Sequence, residues 1–94
     1  MDERSLNIIT TRVASPLCSY TDGRSVVDAT GSTVREVLAD LDRRYPGMRF
    51  RMIDEQDRVR PHMNLFVGGR PTRDLGAPVG PEDEVYILQA LSGG

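Results

Sequence analysis

The chain has 94 residues, 38% hydrophobic and 28% charged, with a formal net charge of −2, which supports one modest core, leaves no room for a second domain, and excludes a disordered tail or a basic nucleic-acid surface. No apolar run approaches the length of a membrane-spanning helix, and the opening MDERSLN is charged where a signal peptide needs an apolar stretch, so no membrane association and a cytoplasmic location are expected. The one cysteine, Cys18, has no partner for an internal disulfide or a thiolate metal cage, which agrees with a reducing compartment.

The first predicted element is a strand from Leu6 to Ala14, rich in β-branched residues and ended by Ser15-Pro16. A second strand is predicted from Arg24 to Ala29, directly after Asp22-Gly23, a hairpin-turn dipeptide, so the fold is expected to start with two antiparallel strands. In TVREVLADLDRRYPG, residues Val34, Val37, Leu38, Leu41 and Tyr45 fall on one helical stripe. Thr33 and Glu36 form a capping-box pattern, Arg43 and Arg44 suit the last turn, and Pro46-Gly47 stops the helix.

The stretch RFRMIDEQDRVRPH is polar and turn-prone around Asp54 to Asp57, and reads as a short extended piece and a loop leading to a strand, Met63–Val67, closed by Gly68-Gly69. RPTRDLGAPVGPEDE then carries three of the six prolines and two glycines, and is expected to be a long connection with one helical turn. Val85 to Ala90 is the final strand. The order β-β-α-β-β places one main helix over one face of a mixed sheet, an α+β architecture.

This order, with a helix opened by T-V-x-E-V, a strand LFVGG, the sequence P-E-D-E-V and a last strand running to Gly93-Gly94, resembles the β-grasp, or ubiquitin-like, fold. It is most similar to the bacterial sulfur-carrier proteins of the ThiS, MoaD and CysO type, over roughly residues 6–94. The resemblance implies one β-grasp domain over residues 1–94, with a sheet of four to five strands and a flexible tail at 91–94. In that family the C-terminal carboxylate is adenylated by an E1-like enzyme with ATP and converted to a thiocarboxylate that delivers sulfur to an acceptor.

Carried onto this chain, the resemblance makes Gly94 the adenylation and thiocarboxylate site and Leu91, Ser92 and Gly93 the threading peptide. Glycine suits that task, because it presents no side chain to a narrow channel and tolerates backbone angles closed to other residues. The chain would be a protein cosubstrate and not an enzyme, with ATP bound by the activating partner and no cofactor of its own. Implied partners are an E1-like adenylyltransferase or sulfurtransferase and a sulfur acceptor: a PLP-dependent cysteine synthase, a thiazole synthase or the large subunit of molybdopterin synthase. The length favours carriers for cysteine or secondary-metabolite sulfur. Alternatives are the small subunit of molybdopterin synthase, a ubiquitin-like protein modifier and a plain interaction domain. All 12 basic residues are arginine; genomic bias accounts for this, or an activated carbonyl gains from the absence of side-chain amines.

Strand alternation suggests the partner face. With Val85, Ile87, Leu65 and Val67 turned to the core, Tyr86, Leu88, Ala90 and Phe66 point outward as an exposed apolar patch near the tail. Cys18 and His62 lie in different parts of the chain and are not expected to form a nucleophile pair. The acidic groups Asp54, Glu55, Asp57 and Glu82, Asp83, Glu84 lack metal-site spacing and read as solvated turns that steer an arginine-bearing partner. Gly68-Gly69 and Gly76 to Gly80 lack the context of a phosphate loop.

Overall fold

A computed structural model describes residues 8–89. Five strands form one sheet in the order β2-β1-β5-β3-β4, where β1 is Ile8–Val13, β2 Val26–Thr30, β3 Met63–Val67, β4 Arg70–Thr72 and β5 Val85–Gln89. β1 and β5 are parallel, and the other pairs are antiparallel. A parallel pair cannot be joined by a tight turn. Here the chain between β1 and β5 crosses by way of α1 (Val34–Arg44), which covers one face, and β5 inserts last between β1 and β3.

The stripe read from the sequence is the buried face of α1: Val34, Val37, Leu38 and Leu41 are all at most 1% exposed. They pack with the inward side chains of the sheet, among them Ile9, Val27, Ala29, Leu65, Val85 and Ile87. Thr33 Oγ1 accepts from the Glu36 N–H at 3.2 Å, as a capping box requires. The reciprocal bond falls one residue earlier than the motif predicts, because the Glu36 carboxylate takes the N–H and hydroxyl of Ser32 at 2.8 and 2.9 Å. The next two free donors of the helix, on Val34 and Arg35, bond the carbonyls of Ala77 and Leu75. The long connection after β4 is therefore strapped to the start of α1, with Leu75 and Val79 buried under it, and it contains turns in place of the expected helical turn.

Three further expectations are corrected. Asp22-Gly23 does not make a two-residue hairpin. The link from β1 to β2 is a 3-10 helix, Ser15–Thr21, with proline in its first turn, and Asp22 (φ 58°) and Gly23 (φ 81°) supply the left-handed geometry that ends it, Gly23 N–H bonding Cys18 O at 2.8 Å. The stretch read as extended after Pro46-Gly47 is a short helix, α2 (Met48–Met52). Its buried residues, Met48 and Met52, are four apart, Phe50 between them is exposed, and Asp42 of α1 accepts from the N–H groups of Gly47 and Arg49 at its start. Finally, Gly68-Gly69 is a two-residue turn into β4, with φ of 58° and 84°, the mirror-image geometry that matches strand twist. Pro71 hides this edge strand from sequence reading, since proline is depleted in strands and confined to their edges.

Candidate functional site

Strand parity separates the sheet into a covered and an open face. Val85, Ile87, Leu65 and Val67 face the core, while Tyr86 and Leu88 are 36% and 40% exposed and Phe66 is half-buried on the opposite face. The registers align these residues more closely than alternation alone suggests. Val26 stands opposite Arg12, Arg12 opposite Tyr86, Tyr86 opposite Phe66, and Phe66 opposite Pro71. One row thus crosses all five strands. Leu88 begins the next row, opposite Asn64, and Gln89, the last described residue, is opposite Met63. The structure therefore places Phe66, Tyr86 and Leu88 on the open face of β3 and β5, with Tyr86 and Phe66 near the start of β5 and Leu88 next to its last described residue. Ala90, Leu91, Ser92, Gly93 and Gly94 lie outside the described residues.

Arg12 is the one charged member of the row. Its Nε donates to Glu84 Oε1 at 3.0 Å, and its guanidinium carbon lies 5.6 Å from the centre of the Tyr86 ring. The hydrogen bond it donates to Glu84, and next the charge of that carboxylate, push the guanidinium above its ordinary pKa. Sequence reading missed Arg12 because alternation says which side a residue faces and not which residue stands beside it. Val26 was missed for the same reason.

The acidic groups read as solvated turns are more fully engaged than that. Asp54 Oδ1 accepts from the N–H groups of Gln56 and Arg58, closing its own turn, and these backbone bonds hold its carboxyl below the usual range. Asp57, at φ 64°, receives Arg35 at 2.7 Å and Arg49 at 2.6 Å. Asp83 caps Gly80 N–H at 2.8 Å, and Glu84 pairs with Arg12. Glu55 and Glu82 are exposed and make no ion pair among the described residues. Cys18 is half-buried with Sγ 3.5 Å from Ala14 O, in the 3-10 helix, while His62 is exposed in the turn before β3, and no hydrogen bond joins them.

A helix on one face of a five-stranded mixed sheet, with β1 and β5 parallel at its centre, defines a ubiquitin-like β-grasp domain. The sequence profile of the ThiS family matches residues 14–94, and the chain belongs to that family. The sulfur carrier protein CysO of Mycobacterium tuberculosis is 30% identical over 91 residues, which span 92% of this chain and 98% of that one. Among solved structures, the Amycolatopsis orientalis BexX/CysO complex contains a chain that superposes with a TM-score of 0.84 at 29% identity, covering 92% of this chain and 99% of its own. The small archaeal modifier SAMP1 of Haloferax volcanii shares the fold, with a TM-score of 0.79 at 21% identity over 93% of this chain and 99% of that one.

Proposed function

We propose that this chain is a sulfur carrier whose reactive atom is the carboxyl carbon of Gly94. The observation that carries the reading is similarity to a sulfur carrier along nearly the whole chain, within a family match that runs through Gly93 and Gly94. In the first step a carboxylate oxygen of Gly94 attacks the α-phosphorus of ATP and pyrophosphate leaves. Hydrosulfide then attacks the carbonyl carbon, the C–O bond to AMP breaks, AMP leaves, and loss of the proton on sulfur leaves a thiocarboxylate. Leu91, Ser92 and Gly93 are the peptide that reaches into the partner's site. The chain acts as a cosubstrate in the cytoplasm, with ATP bound by an E1-like adenylyltransferase or sulfurtransferase and no cofactor of its own.

The face bearing Phe66, Tyr86, Leu88 and Ala90 is the docking surface for these enzymes in this reading. Phe66, Tyr86 and Leu88 share the open face of β3 and β5, and exposed clustered apolar side chains are suited to partner contact. The acceptor belongs to the same class as for related carriers: a PLP-dependent cysteine synthase, a thiazole synthase or a molybdopterin synthase large subunit. CysO of A. orientalis is seen in complex with BexX, and a stable partner of comparable kind is proposed here.

The test is intact-mass measurement of the protein from its native cell, and of the purified chain incubated with the activating enzyme, ATP and a sulfur source. Replacement of one carboxyl oxygen by sulfur is the expected result. Isopeptide-linked adducts on other proteins would favour the modifier reading, and an unchanged mass in both samples would overturn the proposal.

A further inference from the structure

We propose that Arg12 is a specificity residue of the open face, and that the adenylating enzyme docks there by presenting a carboxylate to its outward edge. This inference rests on the carrier reading above. Four of the five residues in the row across the sheet, Val26, Tyr86, Phe66 and Pro71, are apolar or aromatic, and Arg12 sits between Val26 and Tyr86. Its side chain is 44% exposed. Glu84 occupies only Nε, and the two Nη atoms have no hydrogen-bond acceptor among the described residues. The guanidinium is therefore fixed along one edge by Glu84, with its carbon over the Tyr86 ring, and leaves its terminal nitrogens to whatever covers the sheet.

A planar fork held in this way is preorganised for a carboxylate, which can accept two parallel N–H bonds from it. A protein seated on the row would exclude water from the flanking apolar side chains and strengthen that pair. A partner without a carboxylate at this point would bury an unpaired cationic edge, which disfavours it. The adenylating enzyme is the occupant because it must hold the tail, and β5, which carries Tyr86 and Leu88, is the strand that leads there.

The experiment measures ATP–pyrophosphate exchange by the adenylating enzyme isolated from the native cell, with wild type, R12A, R12K and E84Q as carriers, at low and high salt, alongside thermal unfolding of each variant. R12A is expected to raise KM about tenfold with kcat unchanged, equivalent to about 1.4 kcal/mol, and to weaken the salt dependence. R12K, which keeps the charge and loses the fork, should fall between. E84Q keeps an acceptor for Nε but loses the charge that fixes the guanidinium, and should raise KM by less than R12A does. Two results overturn the inference while leaving the carrier reading intact: R12A with wild-type KM, or E84Q raising KM as much as R12A with equal losses of thermal stability, which marks a structural clamp. Absence of exchange with wild type overturns both readings.

Discussion

Gly68 opens the turn into β4 at φ 58°, and a Cβ there would stand 2.8 Å from Asp83 Oδ1, the carboxylate whose other oxygen caps Gly80. Gly68→Ala combines left-handed strain with that close approach, and is expected to cost about 1–3 kcal/mol, read as a lower urea midpoint with an unchanged slope. Asp40 shows a different kind of constraint. Burial by itself pushes its carboxyl up, but hydrogen bonds from Arg44, the Thr30 N–H and Arg43 outweigh it and hold the pKa below the ordinary value. A folded pKa below the unfolded one, about 3.9, means that the Asp40 contribution is fully present above that value. It is lost as pH falls through the folded pKa. Asp40→Asn removes the charge at every pH, so the variant should be less stable by about 1–3 kcal/mol at neutral pH and should show a flatter stability curve below pH ~4. Denaturant titration of both proteins across that range checks the sign; parallel curves would show that Asp40 is not the group responsible.

Among the elements, α1 shows how its start is shared between local and distant groups. Thr33→Ala removes the acceptor for the Glu36 N–H and should cost about 1 kcal/mol, while the bonds from Val34 and Arg35 to Ala77 and Leu75 persist and keep the helix in register. Circular dichroism with unchanged helical signal but an earlier thermal transition is the expected outcome. This helix was legible because its stripe, cap and stop all lie within one continuous stretch. α2 was not: five residues give one i, i+4 pair, Met48 and Met52, set around two arginines and an exposed Phe50, and its N-terminal donors are capped by Asp42 from another helix. The polar loop after it is likewise organised from a distance, by Arg73, which donates to the carbonyls of Val59, Arg60 and Met63 at 2.7–2.9 Å. Arg73→Ala should speed amide exchange at Arg60 and Met63, whose N–H groups bond Met52 and Arg60 carbonyls, with little change at β1. Strand faces were readable from alternation, and the covered sides of β3 and β5 follow it residue by residue. Register was not readable, because it depends on which strands become neighbours, and so the row through Val26, Arg12, Tyr86, Phe66 and Pro71 emerged only in three dimensions.

For the molecule as a whole, the proposed reading divides the labour between a core that needs all the described elements and a terminal peptide that supplies the reactive carbon. Deleting Gly94 is expected to leave the thermal midpoint and spectrum unchanged and to abolish ATP-dependent activation; activation retained by the truncated chain would count against the proposed reactive carbon. The placement of β5 bears on how such a chain is handled. Its neighbours are β1 on one side and β3 on the other, and their hydrogen bonds lie across the strand axis. An enzyme that tugs on the far end of β5 therefore pulls along the axis and loads both ladders in shear. The bonds of the two ladders must yield together, whereas an edge strand such as β4 is held by one ladder only. The domain can thus be gripped by its end, drawn against another protein and let go many times without being unravelled by the pull.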